Sequence, residues 1–416
     1  MTLGTMASDV EQRIDFDGLR RYKQERIQAQ LKEKDLGAIL CFDPDNVRYA
    51  TSTTLGDWHR DKFVRWCLVP REGDPVLFEI GTAGEVKKAL CPWLKPENVR
   101  GATGWLRGAN VAGGTAVAVG VSVARIKGAL EEYRVHDMPV GIDTADLYIL
   151  EGLEKGSLSV VNGWNAMWDA RLIKSPEELK IIEMSAALAD GCYQHVVDKI
   201  RPGVRESEIV AEIYGWLFRN GCDRVTGVNC VSGPRSNPHP HDFSDRMIRP
   251  GELVFIDIMS HLLGYGTCYY RTFVTTRATQ KQRDLYKKAY DWLQAGLDVI
   301  RPGITTTDIA SQWPTAQEMG YPDEVAAAGL CVGHGIGLSI HEKPFITRVF
   351  IDHPTPIQAN MHFALETFAG DGDDGARIES QVIVTEDGHK VITHWPCEEL
   401  MVCSPRWARR DRRETR

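Results

Sequence analysis

The stretch Leu253-Val-Phe-Ile-Asp-Ile258 places a carboxylate, Asp257, inside a run of apolar side chains. The apolar run predicts a buried strand, and a buried charge is costly unless another group pairs with it. Three further stretches place titratable groups in strand-like or glycine-rich surroundings: His362-Phe-Ala-Leu-Glu366, Ala376-Arg-Ile-Glu379 and Gly333-His-Gly-Ile-Gly337, which is followed by His341. A structural role explains any one of these groups equally well. Together, carboxylates and an imidazole on adjacent strands predict a site for a hard cation or zinc.

A helix start at Ser175-Pro-Glu-Glu178 divides the chain into two parts. Serine is a preferred N-cap, proline suits the first helical position, and glutamate at the third closes a capping box. Beyond this point helices precede strands, which predicts an α+β domain over 166–405. Before it, a helical stretch (22–34) and strands (37–42, 64–69 and 75–80) alternate, which predicts a smaller α/β domain over 1–165. The arginine-rich residues 406–416 are predicted to form a solvated basic tail.

A faint duplication lies within the second domain. Lys199-Ile-Arg-Pro-Gly203 and Val299-Ile-Arg-Pro-Gly303 each end one amphipathic helix and precede another. Two ordinary Pro-Gly helix stops explain this pattern as well as a repeated α+β unit does. The repeat would place a functional site between its two halves.

Composition excludes several classes of function. The 416 residues contain 49 Lys and Arg against 57 Asp and Glu, a net charge of −8 that gives no overall attraction for nucleic acid. No 18-residue apolar run is present, so we expect no membrane span. No secretory signal is readable in residues 1–16, so we expect a cytoplasmic protein. The ten cysteines form no CxxC pair, which favours buried structural thiols.

The order of the motifs resembles that of the superfamily of aminopeptidase P, creatinase and methionine aminopeptidase. The resemblance rests on these residues: Asp257, Gly264-Tyr265, Arg271-Thr-Phe273, Gly333-His-Gly-Ile-Gly337, His341-Glu342, Glu366 and Arg377-x-Glu379. Leu172-Ile-Lys-Ser-Pro-Glu-Glu178 also resembles the start of the catalytic domain in that superfamily. The resemblance covers nearly the whole chain. It implies a pita-bread catalytic domain, a creatinase-like N-terminal domain and a homodimer.

The resemblance also implies a metal site with one altered ligand. The peptidases of the superfamily hold two metal ions with Asp, Asp, His, Glu and Glu, and the position of the second Asp falls on Cys268. A thiolate offers one soft sulfur, which suits Zn²⁺ or Fe²⁺ better than Mn²⁺. We therefore predict one divalent ion (Zn, Fe or Mn), and a metal-free site stays open as the alternative. The predicted ligands are Asp257, Cys268, His334, Glu366 and Glu379.

Creatinase provides the leading hypothesis for the reaction. It cleaves a C–N bond of a small guanidino compound without a catalytic metal, using a His base that falls within Asn237-Pro-His-Pro-His-Asp242 of this chain. We therefore predict a hydrolase acting on a C–N bond of a small, non-peptide, cationic substrate. The predicted catalytic residues are His334, His341, His241, Glu366 and Glu379. The predicted substrate-binding residues are Tyr265, Tyr270, Arg377, Trp58 and His239. For Arg377, orientation of Glu379 is the alternative role.

Other reactions stay open. The dimethylsulfoniopropionate lyase of the superfamily is similar in Phe42-Asp-Pro-Asp-Asn-Val-Arg-Tyr-Ala-Thr51 and in Ser232-Gly-Pro-Arg-Ser-Asn-Pro238. It uses an Asp base where this chain has His341, and it has the bridging Asp that Cys268 replaces. A metal-dependent C–S lyase, an X-Pro aminopeptidase or dipeptidase, and a non-catalytic binding module are the alternatives.

Overall fold

The computed structural model describes residues 14–327 and 332–403 and separates into two compact units. One unit covers Asp15–Arg171 and the other begins at Leu172. The change of unit falls at the end of helix α6 (Trp164–Leu172), somewhat later than the predicted boundary after residue 165. The predicted basic tail and Cys331 lie outside the described residues.

The N-terminal unit is α/β, as predicted. Its six-stranded sheet has the order β4-β3-β2-β1-β5-β6, and the β1–β2 and β2–β3 pairs are antiparallel while the other three pairs are parallel. The strands are β1 (Ala38–Cys41), β2 (Trp66–Pro70), β3 (Val76–Ile80), β4 (Val99–Ala102), β5 (Val140–Ile142) and β6 (Val160–Asn162). The other helices are α1 (Phe16–Glu33), α2 (Pro44–Thr51), α3 (Ala83–Leu90), α4 (Ala112–Glu132) and α5 (Leu147–Lys155). The predicted helix and three strands therefore coincide with α1, β1, β2 and β3.

The C-terminal unit contains two sheets, which have the orders β15-β9-β8-β7 and β11-β10-β12-β13-β14. The helices are α7 (Pro176–Val196), α8 (Glu206–Arg219), α9 (Gln280–Asp298) and α10 (Thr306–Ala310). The strands are β7 (Arg224–Ser232), β8 (Leu253–Leu262), β9 (Tyr265–Thr275), β10 (Gly333–Gly335), β11 (Glu342–Ile346), β12 (His362–Asp371), β13 (Asp374–Val384), β14 (His389–Val391) and β15 (Met401–Cys403). The predicted capping box is present at the start of α7, where Ser175 and Glu178 bond reciprocally.

Each sheet of the C-terminal unit packs against its own helix pair. Cys192 and Ile213 of α7 and α8 share a core with Ile256 and Tyr269 of the first sheet, and residues of α9 and α10 share a core with β12 and β13. The turns before α8 and α10 are alike, because Gly203 and Gly303 have φ of 87° and 92° and each donates its amide to a carbonyl oxygen. A left-handed φ favours glycine. This correspondence matches the predicted repeat.

Strand pairing determines which side chains meet between the sheets. Asp257 lies opposite Tyr270 in the β8–β9 ladder, with Cys268 two residues from Tyr270 and on the same face. Glu366 and Glu379 are direct partners in the β12–β13 ladder, and β13 packs against β9. The acidic strands of both sheets therefore face one another. Among the described residues, every helix is too short or too polar to cross a membrane.

Candidate active site

Three buried ligand atoms form a tight group between the sheets. The Cys268 sulfur, a ring nitrogen of His334 and a carboxylate oxygen of Glu379 all lie within 4.8 Å of one another. The Nε2 atom of His334 is 3.8 Å from Oε1 of Glu379, and Sγ of Cys268 is 3.8 Å from Oε2. Sulfur, imidazole nitrogen and carboxylate oxygen are the donors that Zn²⁺ binds in proteins. The structure thus brings together three of the five predicted ligands.

Asp257 lies on the other side of the Cys268 sulfur. The thiol donates to Oδ1 of Asp257 over 3.5 Å, and Nδ2 of Asn229 donates to Oδ2 over 3.1 Å. Cys268 therefore lies between two carboxylates, those of Asp257 and Glu379. A single sulfur therefore contacts both of these carboxylates.

Glu366, the fifth predicted ligand, is ion-paired. Nη2 of Arg377 donates to Oε2 of Glu366, and both side chains are buried. Arg377 pairs with Phe368 in the β12–β13 ladder, two residues along from the Glu366–Glu379 pair and on the same face, so it is a diagonal neighbour of Glu366. Arg377 is therefore ion-paired with Glu366, and its charge also partly offsets the rise in the pKa of Glu379, the carboxylate that the sequence suggested it would orient. That orienting role stays a prediction.

Burial and mutual repulsion raise the pKa values of the acidic groups in this cluster. Burial, followed by the charge of Glu366, raises the pKa of Asp257 to about 7. Burial and the charges of Glu366 and Asp257 raise the pKa of Glu379, and burial with the charges of Asp257 and Glu379 raises the pKa of the Cys268 thiol. Carboxylates that share a dry pocket cannot all be ionised without a compensating cation or proton.

These residues fit a divalent cation. Oε1 of Glu379 is buried and has no hydrogen-bond partner among the described residues, which is costly for a carboxylate oxygen unless a cation lies beside it. A cation at Cys268, His334 and Glu379 would lower the pKa of all three groups and favour their ligating forms. The donor set therefore suits one ion with soft and borderline ligands, such as Zn²⁺ or Fe²⁺.

Two exposed imidazoles lie beside the buried cluster. The ring of His341 is 4.1 Å from that of His334, centroid to centroid. Burial and the charge of His334 lower the pKa of His341 to about 4, and burial followed by the charge of Arg377 lowers the pKa of His241. Both imidazoles are therefore neutral at physiological pH and can accept a proton.

An aromatic wall adjoins the cluster. Asn229 Nδ2 donates to the Tyr270 hydroxyl over 2.7 Å, and Nε2 of His239 lies 3.2 Å from the same oxygen. The His239 ring makes an edge contact with Phe255 at 4.8 Å, and burial together with Arg377 lowers the pKa of His239 to about 2. The guanidinium of Arg377 lies 4.5 Å from the centroid of the Tyr270 ring. Tyr270, Arg377 and His239 are therefore brought together, and their predicted role in binding substrate stays a prediction.

Tyr265, a predicted substrate-binding residue, is not brought to this cluster. Tyr265 lies on the helix-facing side of β9, and its hydroxyl donates to Oε1 of Glu178 over 2.9 Å. Side chains of a strand alternate between faces, so Tyr265 and Tyr269 face away from Cys268 and Tyr270. Trp58 belongs to the N-terminal unit, where its side chain is exposed. A role for Trp58 stays a prediction.

Sequence reasoning missed two features of the site. Asn229 lies directly opposite Asp257 in the β7–β8 ladder, and an amide in an apolar strand was the available signal. The second is a buried ion pair of Lys174 Nζ with Oε2 of Glu342 at 3.1 Å. The other oxygen of Glu342 accepts the Ser339 amide. This pair fixes the turn that carries His341.

Two helix-backed sheets with carboxylate, imidazole and thiol ligands on their facing strands define a pita-bread protein with a metal-binding centre. Residues 180–386 match the model of metallopeptidase family M24. The chain belongs to the superfamily of the M24 metallopeptidases, aminopeptidase P and creatinase, which is a superfamily of enzymes.

Similar proteins agree with this assignment. The chain is 30% identical to an Xaa-Pro dipeptidase of Pyrococcus furiosus over 228 residues, 54% of this chain but only 64% of the dipeptidase. It is 22% identical over 405 residues to the dimethylsulfoniopropionate lyase DddP of Roseovarius nubinhibens, 93% of this chain and 88% of the lyase. The solved Xaa-Pro dipeptidase of Bacillus anthracis shares the fold with a TM-score of 0.73 at 22% identity, covering 92% of this chain and 99% of its own.

Proposed function

We propose that this protein is a hydrolase that cleaves a C–N bond of a small, non-peptide molecule with one divalent metal ion. The observation that carries the proposal is the group of Cys268, His334 and Glu379, whose ligand atoms lie within 4.8 Å of one another. These residues would hold the ion, and the ion would supply Lewis acidity and lower the pKa of a bound water.

Two observations support one ion rather than two. A bridging carboxylate binds two ions with two oxygens, whereas Cys268 offers one sulfur between Asp257 and Glu379. Glu366 is neutralised by Arg377. The positive charge of Arg377 thus compensates a carboxylate that a second ion would otherwise have to neutralise.

The proton transfers are assigned to the exposed imidazoles. The pKa values of His341 and His241 are lowered, so both imidazoles are neutral at physiological pH and each has a ring nitrogen that can accept a hydrogen bond or a proton. His341 lies next to His334, and His241 is close enough to Glu366 and Arg377 to feel their charges. One imidazole can accept the proton from water and return it to the leaving nitrogen.

The aromatic wall beside the cluster favours a neutral or anionic group of the substrate, whereas the sequence suggested a cationic group. A cationic head would need an open aromatic face, and the Arg377 guanidinium already lies over the face of Tyr270. Arg377 also lowers the pKa of His239 and His241 through its charge. We therefore propose a substrate whose neutral or negative end lies against Tyr270 and His239.

The test is amine or ammonia release from guanidino acids, N-acyl amino acids and X-Pro dipeptides by the zinc-loaded full-length chain. We expect release from a non-peptide substrate, reduced by about 10²–10⁴-fold in H341A and abolished in E379A. H353A, which changes an exposed histidine elsewhere, should retain the rate. Faster cleavage of X-Pro dipeptides than of every non-peptide substrate would contradict the proposal.

A lyase is the second candidate. The DddP alignment extends over 93% of this chain, compared with 54% for the Pyrococcus furiosus dipeptidase. Headspace gas chromatography with dimethylsulfoniopropionate tests this candidate. Dimethyl sulfide above the level made by H341A would support the lyase, and its absence would exclude this substrate.

A further inference from the structure

The histidine loop, residues 233–246, is the first part of the connection between β7 and β8 and carries His239 and His241. His239 is half-buried against Phe255 and Tyr270, whereas His241 is exposed. A loop of this length is costly to hold in one conformation, so the position of His241 depends on what fixes the loop.

Glu206, the first residue of α8, binds both ends of the histidine loop. Its Oε1 accepts the amide of Ser232 over 2.8 Å and the Ser232 hydroxyl over 2.7 Å. Its Oε2 accepts the amide and hydroxyl of Ser244 over 2.8 and 2.7 Å, and also Nη1 of Arg235. The Glu206 side chain is fully buried. Five donors thus converge on one carboxylate.

The start of α8 adds backbone contacts to the same loop. The amide of Glu206 donates to the carbonyl of Arg246 over 3.0 Å, and the amide of Ser207 donates to that of Ser244 over 3.0 Å. The first amides of a helix lack partners within the helix, so the returning arm of the loop satisfies them. Glu206 and its helix therefore hold the returning arm close to the end of β7.

The early part of the loop is fastened separately to the β12–β13 hairpin. Ser236 Oγ accepts the Gly375 amide over 2.9 Å, and Asn237 Nδ2 donates to the Gly372 carbonyl over 2.8 Å. A Cβ on Gly375 would lie 2.1 Å from the Ser236 carbonyl oxygen, so this close approach requires glycine. The loop is therefore held at residues 236–237 and again at Ser244, and His239 and His241 lie between these two attachments.

We propose that Glu206 is a positioning residue, whose buried carboxylate ties Ser232 to Ser244 and thereby places His241 beside the metal-binding cluster. The inference rests on the proposed function in so far as His241 faces the substrate. Glutamine at position 206 keeps the shape of the side chain but turns an amide N–H₂ toward groups that are themselves donors. Hydrogen bonds to a charged acceptor are roughly twice as strong as those between neutral groups, so we expect E206Q to free the loop.

Hydrogen–deuterium exchange of the full-length protein, read by mass spectrometry, tests the loop without requiring a substrate or a metal. Exchange in residues 233–246 should be about tenfold faster or more in E206Q, the factor that corresponds to about 1.4 kcal/mol. E208Q makes the same change at an exposed position of the same helix and should leave the loop unchanged. If E206Q fails to fold, S244A replaces it as the test. S244A removes the hydroxyl that donates to Glu206 and should speed exchange in the loop. S244T keeps the hydroxyl and should restore slow exchange.

The position of His241 provides a second readout that general stability does not move. In protein loaded with Co²⁺ and ring-labelled histidine, with the His241 signal assigned through H241N, we expect paramagnetic relaxation of His241 to fall in E206Q and S244A. Unchanged exchange in both variants, or faster exchange with unchanged His241 relaxation, would overturn the inference. Failure of the wild type to bind Co²⁺ would instead count against the proposed metal site. The linewidth of the His241 ring signal would then replace relaxation as the readout for Glu206.

Discussion

Cys268 is the residue on which the number of metal ions depends. Its sulfur lies 3.5 Å from Asp257 and 3.8 Å from Glu379, at the position where the resemblance implies a bridging aspartate. Sulfur selects softer cations than carboxylate oxygen does. We therefore propose that Cys268 determines both how many ions the site holds and which ions it prefers.

Restoring the carboxylate should restore the second ion. In C268D we expect about two ions per chain, a preference shifted toward Mn²⁺, and new hydrolysis of X-Pro dipeptides. The measurements are plasma mass spectrometry of dialysed protein and a dipeptidase assay. C230D would be too disruptive as a control because Cys230 is fully buried in the core, so C268S serves instead. It should bind Zn²⁺ about 10–100-fold more weakly than the wild type, without gaining a second ion.

Residues of the site could be predicted from the sequence where the residue type is unusual for its surroundings. Asp257 in an apolar run and Cys268 between fixed flanks needed no structure. Asn229 was missed although an amide in an apolar strand is a signal, because its role depends on the register that places it opposite Asp257. The partner of Arg377 was missed for a similar reason, since Glu366 and Glu379 are both within reach along the ladder.

Pairing of β12 with β13 is the element that builds the acidic cluster. Glu366 and Glu379 are opposite each other, and two like charges in such a pair repel. Arg377, two residues before Glu379 on β13, forms an ion pair with Glu366. The hairpin thus supplies Glu379, the proposed ligand, and on the same face the cation that pairs with Glu366.

Removal of the Arg377 guanidinium should destabilise the protein, and added metal should restore part of the lost stability. We expect R377Q to lose about 3–5 kcal/mol of stability, because a buried carboxylate is left without its cation. Added Zn²⁺ should raise the melting temperature of R377Q more than that of the wild type, since Glu366 becomes available as a ligand. Thermal unfolding with and without Zn²⁺ measures both effects. In the control R377Q/E366Q, the extra response to Zn²⁺ should disappear, and its persistence would contradict this role for Arg377.

At the level of elements, local sequence signals predicted where helix α7 begins, but they did not predict which face of a strand each side chain occupies. The cap at Ser175 fixed the start of α7 because three adjacent residues act together. The side chains of β9 are buried along its whole length, so hydrophobicity did not show which face each residue occupies. Tyr265 was assigned to the substrate for this reason, although it contacts Glu178.

For the molecule as a whole, the acidic cluster links stability to pH and to metal. In metal-free protein the pKa of Asp257 is raised to about 7 and that of Glu379 is also raised, mainly by burial. A folded state that binds protons more tightly than the unfolded state loses stability as pH rises toward the folded pKa. For Asp257 the loss between pH 4 and 7 is at most about 4 kcal/mol.

We therefore expect the chelator-treated protein to melt at a lower temperature at pH 8 than at pH 5.5. The increase in melting temperature on adding Zn²⁺ should grow with pH, because metal binding displaces protons from its ligands. D257N should weaken the pH dependence of the metal-free protein, whereas D223N, in an exposed position, should not. An equal Zn²⁺ effect at both pH values would contradict this linkage.

The division into an α/β unit and an α+β unit was predictable because each has its own pattern of elements. The assembly as a homodimer, the cytoplasmic location and the part played by Trp58 stay predictions, because they depend on surfaces and not on patterns within a strand or helix. The number of ions is a proposal as well, but it rests on the chemistry of one position, that of Cys268.

The most direct test of this account is the count of metal ions in wild-type protein reconstituted with excess Zn²⁺ and dialysed, measured by plasma mass spectrometry. The account predicts about one ion per chain, together with a sulfur ligand in the zinc X-ray absorption spectrum that is absent in C268S. Two ions per chain in the wild type, or a single zinc with an unchanged spectrum in C268S, would contradict it.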